Sequence, residues 1–436
     1  MIKKLLILLF LFVGQVVVAA DVDVNVDFFD RFNDSYLSCY ISQAIQNNHD
    51  LKKTKYKVEQ YRQQTKISFG KELPSLRVST DYLGLNLPNH LNFDVDNNAF
   101  VLPFVVSYEP DFFLKNRDKT KSTIKSYEAA RQEQKAVYIS LLSDVASNYI
   151  NILQYDYLIN SQKYVVKIAE EQLLRSEKMF RQGVIDTNNL NSVKQNLETQ
   201  KNTLETLVKQ ENIVLNNFAV LIGISPNDIN DIKRGRLEDF EYISKIPNEI
   251  KSDVIFSRPD VLKAERELDK AKIDVRVARK ELLPSFNITG LWAFNTIAPG
   301  TFFSWNNSIA ILLAGATFDI FKGGTKIANL RLQKARYEEL FENYRQVDLN
   351  AVKEVNTALC MIKSDTLIDN NLAKDLEYQI SKYKSSYKKY ERGVISYPEI
   401  LSENEKLINI EQNKARGKTT RLVNYITLYK AVGGAL

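Results

Sequence analysis

Apolar positions along the chain change their period in a fixed order. Over residues 35–71 they recur at three- and four-residue spacing within sequence rich in Lys and Gln, which predicts a helix. From Leu76 the period becomes two. Leu76, Val78, Thr80 and Tyr82 alternate with Ser75, Arg77, Ser79 and Asp81, which predicts a strand. A partner strand is expected over 99–112, beyond a polar connection at 85–98. The helical period then returns over 116–181, breaks at Gly183, and resumes over 187–222. At 1.5 Å per residue the longer stretch would reach about 100 Å. No globular core needs helices of that length; they suggest a coiled coil or a tube.

The second half repeats the first. Asn48-His49-Asp50-Leu51 aligns with Arg258-Pro259-Asp260-Val261, Leu73-Pro74-Ser75-Leu76 with Leu283-Pro284-Ser285-Phe286, and Phe180 to Ile185 with Tyr390 to Ile395, every pair offset by 210 residues. Three separated matches at one offset indicate an internal duplication. Copy two is expected to hold a helix over 257–281, started by a Ser257–Asp260 capping box with Pro259 in its first turn. Its first strand carries Phe286, Ile288, Gly290 and Trp292 on one face, with Ser285, Asn287, Thr289 and Leu291 on the other. A partner strand over 307–320 follows a connection at 295–306, then helices over 324–391 and 397–433, parted by Gly393. The predicted organisation is a leader at 1–20, a first repeat at 21–222, a connector at 223–256 with Pro226 and Pro247, and a second repeat at 257–436.

The leader fixes the compartment. Lys3 and Lys4 precede an apolar run from Leu5 to Val13, and Val18-Ala19-Ala20 precedes Asp21, the pattern of a cleaved secretory signal peptide. No Cys stands at the cleavage point, so lipoprotein processing is not expected. Beyond it no run of 18 apolar residues occurs. An exported chain of this kind is periplasmic, secreted or an outer-membrane barrel. Strands of about ten residues suit a tilted membrane crossing, with an apolar face to lipid and a more polar face to a lumen. A sheet over a soluble core would show the same alternation. If the strands span, four cannot close a barrel, and open edges are not tolerated in lipid, so the chain must oligomerise. The helices would then leave the barrel on one side, with both glycine turns at the far end.

Composition removes other classes. Net charge is +6, from 59 basic and 53 acidic residues without a basic stripe, which gives no nucleic-acid footprint. His49 and His90 lack metal-ligand spacing, and no nucleophile elbow, zinc-protease motif or phosphate loop is present. Neither catalysis nor a cofactor is expected, so the energy for any transport must come from a partner. Cys39 and Cys360 either pair or pack on their helices as small apolar residues.

The stretch from Arg258-Pro259-Asp260 through Ala271 and Ala278-Arg279 to Leu283-Pro284-Ser285 resembles the TolC-type outer-membrane efflux family. So do the strand-to-helix joint Phe318-Asp319-Ile320-Phe321-Lys322-Gly323-Gly324 and the tip Tyr390-x-x-Gly393-Val394 with Pro398-Glu399-Ile400-Leu401. The resemblance covers nearly the whole mature chain. It implies an α+β membrane protein, a homotrimer whose four strands per chain build a twelve-stranded outer-membrane β-barrel, continued by a long periplasmic α-helical barrel. It further implies a periplasmic adaptor and a proton-driven or ABC inner-membrane pump as partners, with outer-membrane lipid around the barrel. By the same resemblance Gly183, Val184, Gly393 and Val394 are the adaptor-contact tip, and Tyr390 and Glu399 belong to the aperture gate. Two positions depart from the family: a second aperture acid falls on Ser402, and an Arg on Ile395. In copy one the position of Glu399 is Asn189. Three Glu399 carboxylates around one narrow axis would repel one another. The expected function is the passive exit duct of a tripartite pump for drugs or other small toxic compounds. A type I protein-secretion duct is the alternative within the family, and an exported coiled-coil stalk the alternative outside it.

Overall fold

The computed structural model describes residues 24–84, 98–240, 250–296 and 305–435. The expected signal peptide, most of the two strand connections, and His90 lie outside the described residues.

Helices α1 (Ser35–Asn47) and α2 (His49–Gly70) lead into strands β1 (Ser75–Val78) and β2 (Asp81–Gly84), paired with β3 (Asn98–Tyr108). Helix α3 (Lys115–Arg181) and its return helix α4 (Thr187–Ile222) complete the first copy. After 3-10 turns in the connector and the short α5 (Ser252–Phe256), copy two runs α6 (Pro259–Lys280), β4 (Ser285–Thr296), β5 (Ser308–Thr317), α7 (Thr325–Glu391) and α8 (Tyr397–Ala431). Both α2 and α6, and both α3 and α7, begin and end 210 residues apart. Helices α3 and α7 have 67 residues each, about 100 Å of rod. Among the described residues no helix is long and apolar enough to cross a membrane.

The joints explain how a strand becomes a rod. Leu114 (φ 57°) and Gly324 (φ 74°), one repeat apart, both turn the chain through the left-handed region immediately before the long helices. Leucine there is strained. The Asp111 carboxylate offsets this by accepting from the N–H groups of Lys115 (2.6 Å) and Arg117 (2.8 Å), which caps α3.

All strands belong to one antiparallel sheet in the order β1/β2–β3–β4–β5, so β1/β2 and β5 form its two edges. Cross-strand partners share a face. One face carries Leu76, Phe104, Val106, Ile288, Trp292 and Leu312, as the alternation predicts. The other face does not keep the expected polar character. It is polar near the helices, at Ser75, Ser107, Asn287 and Thr317, and aliphatic further along, at Val105, Leu291, Ile309 and Ile311.

Four other expectations are corrected. The helix predicted over 35–71 is two helices, because Asn48 leaves the helical region (ψ 126°) and its carboxamide accepts from Leu51 N–H at 2.9 Å to start α2. The strand predicted through Ser79 and Thr80 is interrupted there, opposite Pro103, which has no N–H to give. The Ser257–Asp260 capping box is not formed: Arg258 is the N-cap, and the Ser257 hydroxyl donates to the carbonyl of Val254. Pro259 does occupy the first turn. Cys39 and Cys360 are free and exposed rather than packed.

The core lies where the two copies, the connector and the N-terminal segment meet. Phe28, Phe29, Phe32, Tyr149, Phe218 and Tyr429 are all buried there. Phe28 stacks on Tyr429 at 4.5 Å, and the Tyr429 hydroxyl donates to the carbonyl of Asn25 at 2.7 Å. Each such ring contributes about 1.5–3 kcal/mol by burial, which staples residues 24–32 to the end of α8.

Candidate functional site

The two hairpin tips are built alike. After α3, Gly183 (φ 73°) lets Val184 N–H return to the carbonyl of Met179 at 2.9 Å. After α7, Gly393 (φ 72°) lets Val394 N–H return to the carbonyl of Lys389 at 2.9 Å. These are Schellman closures, which need the left-handed residue. No atom lies within 4 Å of a Cβ built on either glycine, so conformation and not crowding demands glycine here. The next residues, Val184 and Val394, are 62% and 69% exposed, leaving an uncovered apolar side chain at each apex.

Beyond the turns the copies diverge. Asp186 caps α4 through Asn189 N–H at 2.8 Å. Ser396, at the matching position before α8, makes no such cap bond; its hydroxyl donates to Glu399 Oε1 at 3.0 Å. Glu399 is exposed in the first turn of α8, where the helix dipole favours an anion. Tyr390 sits with its ring 5.7 Å from that of Tyr397. Among the described residues no bond joins Tyr390 to Glu399.

Tyr397, which the sequence reading did not single out, ties the second tip to the first copy. The Arg175 guanidinium lies 3.4 Å from its ring centroid, and its hydroxyl donates to Glu171 Oε2 at 3.3 Å. Burial and Glu171 raise the Tyr397 phenol above its ordinary pKa, while Arg175 opposes that shift. Its ring also covers a small cluster of Val165, Ile168, Leu401 and Ile408. The available signal was divergence: at the shared tip, copy one has Thr187 where copy two has Tyr397.

Polar rungs define which helices travel together. Between α7 and α8, the buried Gln379 donates to Glu403 Oε2 at 3.1 Å, Lys382 pairs with Glu403 at 3.2 Å, and Arg421 pairs with Asp369 at 3.1 Å. The hydrogen bond and charge of Lys406, with help from Gln379 and Lys382, hold the Glu403 carboxyl down at about 2. Between α8 and the first copy, Gln412 donates to Ser161 Oγ at 3.1 Å and Gln200 donates to Glu405 Oε1 at 3.1 Å. Helix α8 therefore links the two hairpins. Among the described residues no group of three or more His, Cys, Asp and Glu could hold a metal ion.

One sheet with open edges, continued by two 67-residue rods that each fold back at a glycine turn, defines the outer-membrane channel class. The chain superimposes on the Campylobacter jejuni CmeC outer membrane channel with a TM-score of 0.86, at 23% identity over 97% of this chain and 91% of that one. Residues 40–223 and 252–434 each match the profile of the outer membrane efflux protein family, and the chain belongs to that family. Among its relatives, the cation efflux system protein CusC of Escherichia coli is 25% identical over 95% of this chain and 90% of its own length. The toluene efflux pump outer membrane protein TtgF of Pseudomonas putida is 23% identical over 95% of this chain and 86% of its own length. The protein is thus an outer-membrane efflux channel component with a helical extension and a duplicated repeat.

Proposed function

We propose that three copies of this chain close one twelve-stranded barrel in the outer membrane, whose helical continuation is a passive exit duct for small toxic compounds. The observation that carries the reading is the sheet itself. Its edges, β1/β2 and β5, lie at opposite ends of the strand order, and in lipid neither can remain unpaired. Pairing β5 of one copy with β1/β2 of the next satisfies both and propagates the helical hairpins into a tube. The relatives' names speak of cations and of toluene, which favours small-molecule cargo over protein secretion.

In this duct the exposed Val184 and Val394, with Gly183 and Gly393, form the surface that meets a periplasmic adaptor, and an inner-membrane pump supplies the energy. Tyr390 and Glu399 line the aperture. Because α8 bridges the two hairpins, Tyr397 on Arg175 and Glu171 is the contact that holds the second hairpin against the first. The test is single-channel conductance of the detergent-purified protein in a planar bilayer, with Glu399→Ala alongside. Small openings that enlarge in the variant support the duct and its gate. Large openings in both remove Glu399 from the gate. Stable, inserted protein without conductance overturns the duct.

A further inference from the structure

We infer that the barrel lumen carries an apolar collar with a guanidinium ring, which selects for apolar or amphipathic organic cargo with a neutral or anionic head over hydrated cations. This rests on the duct reading above and names the cargo class of its lumen.

The first step is to decide which face of the sheet meets lipid. On the face of Trp292, aromatic rings gather in two groups. At the helix end Phe286 meets Phe112 (5.0 Å) and Phe113 (6.2 Å). Toward the other end Trp292 meets Phe294 (4.8 Å), Trp305 (5.1 Å) and Phe104 (6.0 Å). Six residues along β4 separate Phe286 from Trp292, about 20 Å of strand, with Ile288 and Gly290 between. Two aromatic girdles around an apolar band of that height mark a lipid-facing surface.

The opposite face must then line the lumen, and the register defines its rungs. Arg77 stands opposite Val105, Val105 opposite Leu291, and Leu291 opposite Ile311, so these four side chains lie side by side across the sheet. The neighbouring rung is Pro103, Ala293 and Ile309. On the helix side the face turns polar through Thr289, Asn287 and Ser285, apart from Leu313 opposite Thr289. A duct built only for ions and water would be polar at every level. Three copies put nine such aliphatic side chains, with three Arg77 guanidinium groups beside them, on the lumen wall.

Both features act against hydrated cations. An aliphatic wall offers a passing cation no ligand, and an Arg ring repels positive charge. Arg77 is exposed and forms no ion pair among the described residues. The only acid in the described strands is Asp81, on the same face about 13 Å further along, hydrogen-bonded by Ser79 Oγ at 3.0 Å. No Met, Cys or His occurs in any of these strands, so none offers a soft cation a ligand. An amphipathic anion, by contrast, finds an apolar wall and a counter-charge side by side.

The experiment uses the full chain in planar bilayers, with 8-anilinonaphthalene-1-sulfonate, an aromatic anion, added on the barrel side. Reversible blockades are expected in the wild type. Their dwell time should fall about tenfold in Val105→Asn/Leu291→Asn/Ile311→Asn, and measurably in Ile311→Asn alone should the triple variant not assemble. Arg77→Gln should raise the cation-to-anion permeability ratio at least about twofold. Wild-type current untouched by the probe, or equal dwell times in wild type and collar variants, would overturn the collar while leaving the duct. Absence of current from inserted trimers would overturn the duct reading itself, and the collar with it.

Discussion

The guanidinium of Arg258 donates to the backbone carbonyl of Ala431 at 2.7 Å, in the last turn of α8. One repeat earlier, at both ends of the bond, the Asn48 carboxamide donates to the carbonyl of Leu221 at 3.0 Å, in the last turn of α4. The duplication therefore preserves a joint rather than a residue: the residue that caps the helix leading into the strands of each copy closes the end of that copy's return helix. Carbonyls at a helix C-terminus have no partner within the helix, and a donor from elsewhere satisfies them.

Arg258→Ala should lower stability by about 2–3 kcal/mol, since it removes charge-assisted bonds to Asp260 and Glu354 together with the Ala431 bond. Those two carboxylates are 43% and 50% exposed and rehydrate when the guanidinium goes, which keeps the loss below that of stranding a buried charge. Asn48→Ala should cost about 1–2 kcal/mol, having lost both the Leu221 bond and the cap of α2. Apparent melting temperatures of the detergent-solubilised protein, followed by far-UV circular dichroism, check the order.

At the second tip, Tyr397→Leu or Arg175→Gln should enlarge the unitary conductance or raise the open probability. Removing a contact of about 1 kcal/mol shifts a closed–open balance roughly fivefold. Tyr397→Phe keeps the ring under Arg175 and loses only a long hydroxyl contact, so it should stay near wild type. Planar-bilayer recordings of the three variants separate the stacking role from the hydroxyl.

The rods and turns were legible because their causes are local. Apolar spacing sets the helix, and Gly183 and Gly393 end it through their own conformation. The 210-residue offset transferred this knowledge from one copy to the other. What could not be read depends on distant partners. Asn48 looks like an ordinary solvated residue until the carbonyl of Leu221 comes beside it. Tyr397 gains its role from Glu171, 226 residues away. The aliphatic lumen face emerges only from register, since Val105 and Ile311 meet Leu291 across two strand boundaries. Asp111 was invisible as a cap because the strained turn it supports is centred on Leu114, not on glycine.

Two acids should set opposite pH responses. Asp156 on α3 is raised to about 6, chiefly by burial and secondarily by neighbouring Glu211, with Arg234 opposing. Its ordinary value is 3.8, so between that value and about 6 the folded protein holds a proton the unfolded chain has released. Stability must therefore rise as pH falls from 7 through 6, and Asp156→Asn should flatten that rise. Glu403 shifts the other way. Its contribution is full above its ordinary 4.5 and is lost as pH falls toward about 2, so Glu403→Gln should blunt the acid limb. Melting temperature against pH for both variants checks each sign independently.

Glycines of like conformation should respond unlike to one substitution. Gly223 (φ 76°) ends α4, and a Cβ there would sit 2.7 Å from Cβ of Asn47 and 2.9 Å from its backbone carbonyl. Gly223→Ala thus combines left-handed strain with a backbone collision at the joint between α1 and α4, and should cost more than about 2 kcal/mol. Gly183→Ala meets no atom within 4 Å, so only the strain of about 1–2 kcal/mol remains, confined to the exposed tip. The difference makes the tips testable as a contact surface. Val184→Asp with Val394→Asp changes two side chains that are mostly exposed, so the melting temperature should stay within about a degree of wild type. If an adaptor seats on these apices, co-purification of an adaptor co-expressed from the same cell should fall at least about tenfold in the double variant while Gly223→Ala, once folded, retains it. Loss of adaptor in both variants alike would trace the effect to the fold and not to the tip.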